Sequence, residues 1–278
     1  MISSSFENSP REKQRLNRLD NPHANAWVTA VPSSEDGFDT ILSPRAFRIS
    51  VLRLLGLPIC PSSLSCPLCV QPMDTLGDHS LCCSKTRDTI IRHNSIRNWV
   101  FKIAQEGMLC PEMEKIRFGE AEIGPSRRRP ADIAIPIWAN GKSLAIDVAV
   151  VCPLVPSHLP ESEPCEAYAC KKHQKYDKGF LHSSFDFVPM IFETGGAINR
   201  DGESILKQLF RFASKRSSTS YAKFVGRAWA RLSCTLQRSV SQMVLNRTFG
   251  ISAGDPDLDG GVGTSLGARE VEAGAFDY

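Results

Sequence analysis

RRRPADIAIPIWANGKSLAIDVAVV, residues 127–151, is the stretch that decides the fold. Two apolar runs, 132–138 and 143–151, flank Ala139–Asn140–Gly141–Lys142. Asn-Gly between two such runs is a strong hairpin signal, since both residues tolerate the positive φ that a tight turn between twisted strands needs. Each run carries one carboxylate: Asp132 opens the first, and Asp147 lies inside the second. A charge inside an apolar strand is costly unless it is paired or bound to a metal. On adjacent antiparallel strands the two carboxylates converge, and two carboxylates beside a phosphate suit Mg²⁺ or Mn²⁺. The alternative is that Asp132 caps a turn and Asp147 pairs with a basic neighbour.

Outward from the hairpin, 112–122 reads as a strand and brings Glu114 upstream as a further metal ligand or orienting carboxylate. Downstream, 166–180 reads as a helix carrying Lys172 and Lys175, either of which suits neutralising a phosphate or orienting a water. A third apolar strand, 187–193, ends on Glu193 before Gly195–Gly196, where an ion-pair role and a catalytic role are both open. Helices are expected over 88–105, with an Ile91, Ile96, Trp99, Val100 and Ile103 stripe, and over 203–215 and 221–245. Arg227, Arg231, Arg238 and Arg247 are spread over the last of these. The sum is an α/β fold, a mixed central sheet flanked by helices.

Ahead of it stands Cys66-x2-Cys69-x9-His79-x3-Cys83. A Cys3His set with this spacing fits a closed, structural zinc site. It would organise a Pro- and Cys-rich stretch too small for a core of its own. Cys82 competes with Cys83 for the fourth position, and Cys60 is a weaker competitor in the first arm. Ser43–Pro44 starts a helix that Gly56–Leu57–Pro58 ends. The expected organisation is a flexible or partly ordered lead-in (1–42), a helix plus zinc module (43–87), the main domain (88–249) and a disordered acidic tail (250–278).

Composition agrees with a globular chain: 42% of the 278 residues are hydrophobic and 23% charged. Formal net charge is +3, yet six acidic residues follow residue 250 against Arg269 alone. Without that tail the balance is about +8, which suits a polyanionic partner such as DNA and equally suits plain solubility. Arg92–His93–Asn94 and the run Arg127–Arg128–Arg129 are candidate phosphate contacts, arginine forks being suited to phosphate oxygens. Arg92–His93–Asn94 would equally serve to dock the zinc module. The start, MISSSFENSP, lacks the apolar core of a signal peptide. No stretch reaches the roughly 18 apolar residues of a membrane span. With ten cysteines assigned to metal ligation before disulfides, nucleus or cytoplasm is the expected compartment.

Taken together, Cys66-x2-Cys69, Gly77-Asp78-His79, Cys83, Arg92-His93-Asn94, Arg129-Pro130-Ala131-Asp132, Ile146-Asp147-Val148 and Lys172-x2-Lys175-Tyr176 have an order that resembles a known family. It is the restriction-like, PD-(D/E)XK-type endonuclease domain at the C-terminus of non-LTR retrotransposon reverse transcriptase polyproteins. The resemblance covers about residues 43–250. It implies a metal-dependent DNA endonuclease, with Asp132 and Asp147 as Mg²⁺ or Mn²⁺ ligands and Glu114 as an upstream carboxylate. Ala149 stands where the family motif has its lysine, so the resemblance hands that role to a helix lysine, Lys172 or Lys175. Ala131 also separates Pro130 from Asp132, where a direct Pro-Asp pair is usual. The zinc module would help bind DNA. No polymerase motif of the Tyr-x-Asp-Asp kind is present. The chain therefore reads as a stranded C-terminal fragment, a decayed copy or a host gene built from one, and a reverse transcriptase region is a possible partner. A catalytically inactive, zinc-containing nucleic-acid-binding protein is the alternative, and a zinc-stabilised protein-interaction domain a third reading.

Overall fold

The computed structural model describes residues 9–32, 39–61, 64–83, 85, 87–113, 131–160 and 162–248. In chain order its elements are α1 (Pro10–Leu19), a 3-10 turn (Ala26–Thr29), α2 (Pro44–Leu55), α3 (His79–Cys82), α4 (Asp88–Glu106), β1 (Glu112–Met113), β2 (Ile133–Ala139), β3 (Lys142–Val151), α5 (Pro164–Phe180), β4 (Phe185–Glu193), α6 (Arg200–Ser214) and α7 (Tyr221–Thr248). The remainder of the expected 112–122 strand, Glu114, Arg127, Arg128, Arg129 and the acidic tail lie outside the described residues.

The hairpin forms as its turn residues dictate. Asn140 and Gly141 take φ of 54° and 75°, the pairing of positive angles that matches strand twist in a two-residue loop. The sheet runs β1-β2-β3-β4. β1, β2 and β3 pair antiparallel, while β3 and β4 are parallel, in register from Ser143↔Phe185 to Val151↔Glu193. A parallel neighbour cannot be reached by a tight turn, and α5 supplies the long crossover. The fold is thus a mixed four-stranded sheet flanked by helices.

Strand alternation sorts β3 between two faces. Leu144, Ile146 and Val148 enter the main core with Ile96, Val100 and Ile103 of α4, Leu209 of α6 and Leu236 of α7. Ala145, Ala149 and Val151 lie on the other face, beneath α5. Asp147 falls in this second set, flanked by two alanines that leave it room. On the β4 edge, Pro189 has no N–H to offer. The Asn199 side chain accepts from Ile191 N at 2.8 Å and donates to Pro189 O at 3.0 Å, so this edge is partly closed by a side chain.

Two parts of the chain are more integrated than their sequences suggest. Within the expected lead-in, α1 is capped by Ser9, whose hydroxyl accepts from Glu12 N at 3.1 Å. Its arginines point inward: Arg11 pairs with Asp78, Arg15 donates to Leu54 O, and Arg18 pairs with Glu193 at 3.2 Å. α2 belongs to the same core as α7, through Ile49, through the Ser241 hydroxyl donating to Ala46 O (3.0 Å), and through a hydrogen bond between the Ser50 and Ser241 hydroxyls (3.1 Å). Arg247 is not a surface charge of α7: it is 2% exposed and paired with Asp88. Among the described residues, no helix is long and apolar enough to cross a membrane.

Candidate metal centre and carboxylate site

The metal-ligating residues are presented by two short pieces. Cys66 and Cys69 ride on a small hairpin, with Ser65 bridged to Pro72 and Cys66 N donating to Gln71 O at 2.8 Å. Val70 turns the chain with φ 62°, and its N–H donates to Cys66 O at 2.9 Å. His79 opens α3 and Cys83 caps its end. The Asp74 carboxylate fixes this start by accepting from the N–H groups of Leu76, Asp78 and His79 at 3.0, 2.9 and 2.6 Å.

The four ligand atoms of Cys66, Cys69, His79 and Cys83 all lie within 4.8 Å of one another. Cys66 Sγ is 3.9 Å from Cys83 Sγ, and Cys69 Sγ is 3.2 Å from His79 Nε2. Zinc with Zn–S bonds of about 2.3 Å in a tetrahedron sets sulfurs about 3.8 Å apart, so the group is able to hold a zinc ion. Burial works against a thiolate at Cys66, but the Leu68 and Cys69 backbone N–H groups and the His79 ring outweigh it and bring the thiol down to about 6. Of the competing cysteines, Cys82 is exposed with its thiol directed to His79 O, and Cys60 is buried against Asp74 O at 3.3 Å. Neither belongs to the group.

The module is bolted to the rest of the protein. Asp78, next to His79, sits between Arg11 and Arg53, the latter at 2.9 Å. Gly77 has φ 74° and lies against α7, where an added Cβ would stand 3.3 Å from Val244 Cγ1. Arg92 is 5% exposed and donates to Leu81 O (3.5 Å) and Val150 O (3.2 Å). Of the two roles open to Arg92, its position corresponds to joining α3 to β3. A guanidinium enclosed in this way is not presented to a phosphate.

The carboxylate site lies where β2 begins beside β3. Asp132 N donates to Ile146 O at 2.9 Å, and Asp132 Oδ2 accepts from Val148 N at 2.7 Å. Its other oxygen meets His93 Nε2 of α4 at 3.2 Å. From the opposite side, α5 brings Lys172 Nζ to 2.8 Å from Asp147 Oδ2. That oxygen has no aligned hydrogen bond despite the ion pair. Burial, seconded by the charge of Asp132, pushes Asp147 up to about 6 against the opposing pull of Lys172 and His93. The four groups therefore act on one another. Burial lowers the affinity of Lys172 for its proton, but Asp147 more than compensates, and the ammonium is held above its ordinary value. The rings of Tyr168 and Tyr176 flank it, each 5.7 Å from Nζ.

Lys175 is exposed, with Nζ 5.1 Å from the centroid of the Tyr176 ring. Asn94 is half-buried. Glu193 is 1% exposed and is taken by Arg18. Arg97, which the helical stripe leaves as mere polar punctuation, belongs to this neighbourhood. It is 8% exposed, and burial lowers its pKa while the Asp132 charge resists. Its spacing of one helical turn from His93 was the available signal. A separate cavity of about 470 Å³, bordered by His23, Arg227 and Trp229, lies away from the carboxylates.

No protein-family model matches the chain, and no curated protein matches it.

Proposed function

We propose that the protein is a metal-dependent DNA endonuclease-like domain derived from a retrotransposon protein. The observation that carries the reading is the pairing of Asp147 with Lys172 beside Asp132. A mixed sheet flanked by helices carries two carboxylates on neighbouring strands, and a helix lysine meets the second where Ala149 has none to offer. That is the combination the resemblance implies.

Asp132 and Asp147 are the residues that would hold Mg²⁺ or Mn²⁺. The under-bonded, buried Oδ2 of Asp147 fits a hard-cation ligand. A bound divalent cation would supply Lewis acidity and a water of lowered pKa. Lys172, kept charged by Asp147, would neutralise the scissile phosphate or orient the water. Val148 N–H and His93 orient the Asp132 carboxylate. The zinc group holds the 66–83 segment on α7 and α4 as a structural clip, with DNA as the partner and the nucleus as the compartment.

The test is plasmid cleavage by zinc-loaded protein in Mg²⁺ or Mn²⁺, compared with Asp132→Ala and Lys172→Ala. Cleavage by the intact chain that both variants lose supports the reading; DNA binding without cleavage sinks the enzyme claim. One observation favours the inactive alternative. Both oxygens of Asp132 already have partners inside the protein, and Asp147 is ion-paired with Lys172, so each carboxylate is engaged without a metal.

A further inference from the structure

We propose that the corner between the end of α6 and the start of α7 binds a single strand of nucleic acid. From Ser204 to Gly254 the chain has nine Lys and Arg and no Asp or Glu. Several of these cations are used internally: Lys207 pairs with Glu203, Arg231 with Asp39, Arg247 with Asp88, and Arg238 donates to Asp39 O and Ile41 O. Arg211, Lys215, Arg216 and Lys223 are not. They are exposed, and among the described residues none has a carboxylate partner. All four fall within a few residues of one tight connection, in which Arg216 N donates to Ala213 O at 3.0 Å and Phe224 N to Ser220 O at 2.9 Å. Below it, the Phe210 and Phe224 rings meet at 6.2 Å and hold the two helices together.

Two aromatic side chains are interleaved with these charges. Phe212 is 39% exposed and Tyr221 43%. Cations alone would suit any polyanion. Exposed rings among them suit a polyanion whose bases are free to stack, which a duplex does not offer. An anionic membrane is the less suitable occupant, because a short corner with two half-exposed rings has no continuous apolar face to insert. Phe212 leans on Trp138 of β2, with ring centroids 5.9 Å apart. Trp138 is six residues along β2 from Asp132, about 20 Å at the rise of a strand. The corner is thus a second surface, at the other end of that strand from the carboxylates, and it does not depend on cleavage.

The test is fluorescence anisotropy with a labelled oligo-dT strand and a mixed-sequence duplex of the same length, in magnesium-free buffer with zinc retained. The intact chain should bind the single strand more tightly than the duplex. Replacing Arg211, Lys215, Arg216 and Lys223 together by Ala should weaken binding about tenfold or more. It should also flatten the log K against log salt slope by about 3, near 0.7 for each phosphate no longer neutralised. Tyr221→Ala should weaken binding about fivefold or more with the slope unchanged, as a stacking ring would. The single variant Lys223→Glu serves if the fourfold variant fails to fold. Unchanged affinity and slope in folded variants would overturn the proposal. So would preference for the duplex, or binding to phosphatidylserine vesicles in place of the strand. If the corner variants lose binding while plasmid is never cut, the endonuclease reading fails and this one stands.

Discussion

Protein loaded with zinc at Cys66, Cys69, His79 and Cys83 should lose stability across the whole domain, not only the module, when the metal is removed. The reason lies in what the ligands flank. Leu81, between His79 and Cys83, is 2% exposed and belongs to the main core. Asp78, beside His79, is the shared partner of Arg11 and Arg53. Without the ion, the short α3 loses the ligand bonds at its two ends, His79 and Cys83, and only Asp74 still holds its start. Exposing Leu81 costs about 2 kcal/mol, and separating the buried Asp78 from Arg53 about 3 kcal/mol more. The sum of about 5 kcal/mol is a large part of a typical domain stability of 5–15 kcal/mol. At about 2–4 °C per kcal/mol for a chain of this size, melting should fall by about 10–20 °C. The assay is a circular-dichroism melt of protein with one zinc per chain, before and after a zinc-selective chelator, with metal content measured on the same samples. Added zinc should restore the melt of the intact chain and leave His79→Ala low. A metal-free protein melting within about 3 °C of the zinc-loaded form would refute the reasoning, since the module would then hold without its ion.

Further outcomes follow from the carboxylate site and its surroundings. In cleavage assays Lys172→Ala should abolish the activity that Lys175→Ala largely keeps, because only Lys172 reaches Asp147; equal losses would show that the helix face has been misassigned. Asp147 titrates near 6 in the fold against an ordinary 3.8, so its protonated form favours folding and that contribution is lost as pH rises through 6. Between pH 5 and 7.5, zinc-loaded and magnesium-free, the intact chain should therefore lose on the order of 1 kcal/mol that Asp147→Asn does not, measured as the difference between their urea-unfolding free energies. Arg92→Met should destabilise by about 2–3 kcal/mol by orphaning the Leu81 and Val150 carbonyls, while leaving the salt slope of DNA binding as it was. A lowered slope with intact stability would return Arg92 to the phosphate contacts.

Local chemistry was legible wherever short-range constraints dominate. Asn140–Gly141 has one economical conformation between two apolar runs, and the hairpin follows from it. Ser43–Pro44 and Gly56 bracket a helix because caps and αL termini act within a few residues. The Cys66, Cys69, His79 and Cys83 group was legible for the same reason: metal geometry restricts spacing along the chain. What lies across the chain was not. Lys172 and Lys175 are alike in sequence, and only the packing of α5 over Ala145 and Ala149 selects Lys172 for Asp147. Arg11, Arg15 and Arg18 look like a solvated charge run, yet their partners, Asp78, Leu54 and Glu193, come from three separate elements. Arg92 and Arg97 likewise read as surface cations until the sheet closes over them. A side chain's period states which way it faces on its own element; whether that direction holds water or a carboxylate is decided by a neighbour far along the chain, and only the tertiary structure supplies it.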